Sequence, residues 1–109
     1  MSIILPSAYV AFSVTLSGVK QNLLTLLKDY APQTDGSANK VILKADRFNT
    51  GYIYIGDGGL TTSNFGVDLA GNEAANYGPF SQGSAFPIAS INVLGSDAAE
   101  ILHVEIIAA

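Results

Sequence analysis

The stretch that decides the fold runs from Val41 to Leu60 and reads VILKADRFNTGYIYIGDGGL. Apolar and polar residues alternate on both sides of the tripeptide Asn49-Thr50-Gly51, and a glycine-rich segment follows at residues 56–59. Alternation with a period of two is typical of a strand with one buried face, and a short glycine-containing segment is typical of a tight turn. The stretch therefore predicts a β-hairpin. Its apolar positions are Val41, Leu43 and Ala45 before the turn, and Ile53 and Ile55, opposite Tyr52 and Tyr54, after it.

Four further segments carry secondary-structure signals. Residues 9–17 alternate in the same way and predict another strand, and residues 88–94 and 100–107 predict a second hairpin around residues 95–97. Between them, Ser17 is a suitable N-cap, apolar residues recur at helical spacing, and Pro32 marks a stop. We therefore expect one short helix near residues 19–30.

These elements predict a mainly β fold. Many short strands separated by frequent turn signals favour a single small antiparallel β-sandwich or jelly-roll-like barrel with one short helix near residues 19–30. A chain of 109 residues is the size of one domain. We expect an N-terminal arm at residues 1–8 and a single barrel domain at residues 9–109.

The composition restricts the partners of the chain. Charged residues make up 13% of the sequence, against a typical value of about 25%, whereas hydrophobic residues reach 49%. Low charge predicts that the chain buries additional surface in an oligomer. The net charge of −4 and the dispersed basic residues argue against binding to nucleic acid. No apolar run approaches the roughly 20 residues that span a bilayer, so no membrane partner is expected.

Residues suited to catalysis are few. There is no cysteine, and His103 is the one histidine, which shares a predicted strand face with Ile101 and Glu105. The sequence nominates no nucleophile or acid as its partner, so a surface or interface histidine is the favoured interpretation. The GDGG segment at residues 56–59 lacks the residues of a calcium loop or a phosphate loop and is better explained as a turn. We therefore expect no enzyme activity, catalytic residue, metal, cofactor or small-molecule substrate.

The tyrosines support a second hypothesis. Tyr52 and Tyr54 fall on one face of a predicted strand and form a candidate aromatic surface. Aromatic rings on a β-sandwich can stack against sugars, but tryptophan is absent. Packing in the core or in an interface is the favoured interpretation.

The order of these features resembles small β-barrel or jelly-roll structural proteins of tailed bacteriophages. The pieces that carry the resemblance are VTLSGVKQNLLTLL, VILKADRFNTGYIYIG, TTSNFGVDLAGNE and PIASINVLGSDAAEILHVEI. Because the chain is compact, the resemblance implies a capsid decoration (cement) protein that stabilises the assembled head against internal DNA pressure. It implies a homotrimer that contacts the phage major capsid protein on the capsid surface of the virion, after assembly in the cytoplasm of the host bacterium.

Apolar residues near both ends are candidates for these contacts with other subunits or with the capsid. They are Ile3, Ile4, Leu5, Ile106 and Ile107. The alternative is that they cover the ends of the barrel. The alternative function is a tail-associated carbohydrate- or receptor-binding module, or a head fibre.

Overall fold

The computed structural model describes residues 9–32, 36–78 and 86–108. These residues form nine strands, one α-helix and one 3₁₀ helix. The strands are β1 (Tyr9–Thr15), β2 (Gln21–Asn22), β3 (Ser37–Ala45), β4 (Ile53–Gly56), β5 (Val67–Leu69), β6 (Ala74–Tyr77), β7 (Phe86–Pro87), β8 (Asn92–Gly95) and β9 (Ile101–Ala108). Helix α1 is Leu23–Tyr30, and the 3₁₀ helix is Ile88–Ser90.

The strands form two antiparallel sheets. Sheet A has the order β1-β9-β3-β6, with β7 also paired to β3, and sheet B has the order β2-β8-β4-β5. The pairs β1·β9, β2·β8, β3·β6 and β4·β5 are nested within one another in sequence and alternate between the two sheets. A long antiparallel ribbon wound around a core in this way is a jelly roll. The predicted mainly β sandwich is therefore confirmed.

The core lies between the sheets and is built by the alternation seen in the sequence. The inward residues of β3, which are Val41, Leu43 and Ala45, are completely buried, and Ile53 and Ile55 of β4 face them from sheet B. Strand β9 contributes another inward set, which is Leu102, Val104 and Ile106. The predicted faces of these strands are confirmed.

The helix is shorter than predicted and begins at Leu23, not near residue 19. Its N-cap is Asn22, whose Oδ1 accepts a hydrogen bond from the Leu24 N–H at 3.0 Å, so the prediction of a Ser17 cap was wrong. The preceding residues cannot be helical because Gly18 has a φ of +88° and β2 pairs with β8. Leu23, Leu26 and Leu27 of the helix are buried in the core.

Both predicted hairpins were wrong. Strands β3 and β4 lie in different sheets, and so do β8 and β9, so each predicted turn is a crossing between sheets. The two crossings contact each other: the Ser96 N–H donates to the Tyr52 carbonyl at 2.8 Å, and the Gly51 N–H donates to buried Glu100 Oε1 at 3.2 Å. A Cβ on Gly51 would collide with Ser96 Oγ, so any other residue here requires the Ser96 side chain, which accepts from the Tyr52 N–H, to move.

Candidate functional site

A row of three polar side chains crosses the outer face of sheet A. Ser13 of β1 and His103 of β9 are cross-strand partners, and the Ser13 Oγ lies 2.6 Å from His103 Nδ1. On the other side of the ring, Nε2 lies 2.8 Å from Oδ1 of Asp46, which directly follows β3. The fold therefore gives His103 two partners, 90 and 57 residues away in sequence, that the sequence did not nominate.

Asp46 is held by several bonds at once. Its Oδ2 accepts from the Phe48 N–H at 3.0 Å, and its carbonyl accepts from the Asn49 N–H at 3.0 Å. The hydrogen bond from His103, followed by that from the Phe48 N–H, lowers the pKa of the Asp46 carboxyl below its ordinary value of 3.8. Asp46 therefore connects the strands of sheet A to the loop that leaves for sheet B.

The chemistry of this row is that of a hydroxyl, an imidazole and a carboxylate in line. With Nε2–H donating to Asp46, Nδ1 accepts from the Ser13 hydroxyl. Nucleophilic catalysis also requires a binding place for the reacting group and donors for the developing oxyanion. A cleft beside sheet B, described below, contains none of the three side chains. The row connects β1, β9 and the end of β3 through side-chain hydrogen bonds.

Aromatic side chains line the outer side of sheet B. Tyr52 and Tyr54 have ring centroids 6.4 Å apart, and Tyr54 and Phe65 have ring centroids 4.8 Å apart. Tyr52 is 47% exposed and Phe65 is 40% exposed, so these rings are not part of the core. We call Tyr52, Tyr54 and Phe65 the aromatic row. Phe65 was not singled out by the sequence, because it lies in a loop and reaches Tyr54 through the fold.

A cleft of about 260 Å³ opens beside the aromatic row, and Phe65 belongs to both. The other residues that line the cleft are Gly56, Asp57, Asn64 and Gly66. We call this site the Phe65 cleft.

The walls of the Phe65 cleft are held by hydrogen bonds within the loop. The Gly59 N–H donates to Asp57 Oδ1 and the Asn64 amide donates to the Gly59 carbonyl, each at 2.9 Å. Buried Leu60 anchors the loop from below, and Lys20 Nζ donates to the Gly58 carbonyl at 2.5 Å. These bonds within the protein fix the shape of the cleft.

The free edge of sheet A is the third surface feature. β1 lies at the end of the strand order, and within the described ranges no strand pairs with its outer side. Tyr9, which is 54% exposed, lies opposite Ile107, which is 40% exposed, at one end of this edge. The Tyr9 hydroxyl donates to Glu105 Oε2 at 2.7 Å, and this bond raises the pKa of Tyr9.

The predicted contact residues have different placements. Ile3, Ile4 and Leu5 lie outside the described residues. Ile106 is 1% exposed and belongs to the core, because the alternation of β9 points it inward with Val104, so its proposed role in contacts is corrected. Ile107 lies on the outer face.

The part of the chain that the structure describes contains no group of three His, Cys, Asp or Glu side chains that could hold a metal ion. In the same ranges no helix is long and apolar enough to cross a bilayer. Comparison with protein families, with curated proteins and with solved structures found no match to this chain.

Proposed function

We propose that this chain is a structural protein of a bacteriophage virion, specifically a capsid decoration protein that associates with itself and with the major capsid protein. The observation that carries the assembly part of the proposal is the open edge of β1. The link to a virion is carried by the sequence resemblance described above. The jelly-roll fold is compatible with assembly and with membership of a virion. The same fold also occurs in lectins and other proteins, so it supports the proposal by analogy only.

The edge of β1 has the properties of a surface that pairs with another chain. Its sequence, YVAFSVT, contains no charged residue and no proline. Soluble proteins usually protect edge strands with charges, prolines or bulges, because unpaired N–H and C=O groups are a template for another strand. Seven residues without such protection favour addition of a strand from a second copy or from the capsid.

The exposed apolar side chains supply the rest of an assembly surface. Tyr9 and Ile107 adjoin the edge, and Tyr30 stacks on Phe12 of β1 with ring centroids 5.0 Å apart. A chain with 13% charged residues gains most from burying such groups between subunits. A standard interface of about 1,600 Å² is enough for stable association. Repeated over a capsid, such contacts would resist the separation of neighbouring capsomers.

The proposal is tested by adding the purified protein to capsids that lack it and measuring the survival of the capsids on heating and osmotic shock. We expect higher survival, together with a trimer of three 11.3 kDa chains by light scattering. The exposed β1 substitution Ala11→Lys should weaken both effects.

Asn76→Lys is the matched control, because it adds the same charge at an exposed position of β6, the opposite edge of sheet A. The proposal fails if capsid survival is the same with and without the protein. If Ala11→Lys and Asn76→Lys have equal effects on capsid survival and on trimer formation, the β1 edge is not the assembly surface.

A further inference from the structure

We propose that the Phe65 cleft, together with the aromatic row, is a saccharide-binding site that takes one sugar ring in the cleft. The proposal is independent of capsid decoration, which uses the opposite sheet. It rests on the shape of the cleft, on the exposed aromatic side chains, and on two polar side chains that have hydrogen-bonding atoms without a partner among the described residues.

The aromatic row supplies the apolar part of such a site. The C–H face of a sugar ring packs against an aromatic face, and an exposed aromatic side chain offers that face with little loss of conformational freedom. Tyr54 and Phe65 lie in contact at 4.8 Å with their planes inclined by 51°. The two aromatic rings therefore form an angled wall beside the cleft. This wall offers a stacking surface for a second sugar ring, next to the sugar ring that occupies the cleft.

The polar part comes from Asp57 and Asn64. Asp57 uses Oδ1 to accept from Gly59, and Asn64 uses its amide group to donate to the Gly59 carbonyl. Within the described residues, no hydrogen bond involves Asp57 Oδ2 or Asn64 Oδ1. A carboxylate and a carboxamide, each already oriented by one bond, offer acceptors to the hydroxyl groups of a sugar.

Other ligand classes fit this cleft less well. A phosphate or another anion would face the Asp57 carboxylate. An apolar side chain of a protein would cover Asp57 and Asn64 without pairing them, which is costly for buried polar groups. A volume of about 260 Å³ lies just below the range of roughly 300–1,000 Å³ typical of small-molecule sites, so one ring and not an oligomer occupies the cleft.

Saturation-transfer NMR with the intact protein tests the proposal. The probes are the methyl glycosides of glucose, galactose, mannose and N-acetylglucosamine at millimolar concentration. We expect transfer to the C–H face of at least one of them. Phe65→Ala should weaken its binding by about tenfold, because the stacking face is lost. Asp57→Asn, which keeps an oxygen for the Gly59 N–H, should also weaken binding through the loss of an acceptor.

The matched control is Phe48→Ala. Phe48 is 76% exposed, lies in the loop between β3 and β4, and does not line the cleft. Binding should be unchanged in this variant. Absence of transfer to all four glycosides, or equal binding by wild type and a folded Phe65→Ala variant, would overturn the proposal.

Discussion

Replacement of Asn49 by alanine should destabilise the fold substantially, although this residue lies in a loop at the surface. The Asn49 side chain behaves like one more peptide group of β3: its Nδ2 donates to the Ile101 carbonyl and its Oδ1 accepts from the Ile101 N–H, both at 2.9 Å. β3 ends at Ala45, paired with Leu102. Asn49 thus continues the ladder beyond the point where the backbone turns toward sheet B.

The size of the expected loss in stability depends on which hydrogen bonds Ile101 keeps in the variant. Its carbonyl still accepts from the Asp46 N–H at 3.0 Å, so the main loss falls on the Ile101 N–H. A net hydrogen bond contributes about 1 kcal/mol, and a buried donor left without a partner costs about 1–3 kcal/mol. Because Asn49 is only half-buried and water can reach part of the site, we expect a loss of about 2 kcal/mol in the free energy of unfolding. In a domain of this size, that corresponds to a fall in Tm of about 8–16 °C.

Urea unfolding followed by circular dichroism measures this loss, with the slope m expected to be unchanged. The control is Asn76→Ala on the exposed face of β6, which should stay within about 0.5 kcal/mol of wild type. A loss below about 0.5 kcal/mol for Asn49→Ala would refute the view that this side chain completes the ladder.

Three further predictions concern other parts of the molecule. Gly51→Ala should destabilise the protein by about 1–3 kcal/mol in urea unfolding, because its Cβ would meet Ser96 Oγ, whereas Gly58→Ala, with open space around it, should not. Because the pKa of Asp46 is lowered in the folded state, the stabilising contribution of this carboxylate is complete above its ordinary pKa of 3.8 and is lost as pH falls through the folded pKa. The difference in unfolding free energy between wild type and Asp46→Asn should therefore shrink on acidification. A difference that stays constant with pH would contradict this. Purified protein should hydrolyse p-nitrophenyl acetate no faster than free imidazole at the same concentration; faster hydrolysis that His103→Ala abolishes would make the row on sheet A an active site.

The sequence predicted which side of β3 and of β4 is buried, because that depends only on local alternation. It could not predict which strands pair, because alternation is the same in a hairpin and in a crossing between sheets. The contact that decides between them at Asn49 joins residues 52 positions apart. The start of the helix could have been predicted from the sequence, because Asn22 lies directly before the leucine run and asparagine is a favoured N-cap residue.

Some features of the candidate site could also be predicted from local sequence, whereas others depend on the fold. Tyr52 and Tyr54 share a face because they are two residues apart on an extended chain, and this was visible in the sequence. Phe65 reaches Tyr54, and Asp57 joins Phe65 in the cleft, through the loop between β4 and β5, whose shape depends on hydrogen bonds at Gly59 and Asn64. The partners of His103 come from β1 and from the residue that follows β3, so no local pattern could reveal them.

The position of β9 affects how the chain can fold during synthesis. β9, which follows the other described strands in sequence, occupies the interior of sheet A, between β1 and β3. Until it arrives, β1 has no partner among the described strands, and the inward side chains of β1 and β3 lack the residues that separate them. Contacts between distant parts of a chain form slowly, and unpaired strands expose a surface that aggregates. A nascent chain held on the ribosome before Ile101 should therefore remain sensitive to protease, and release of β9 should complete sheet A.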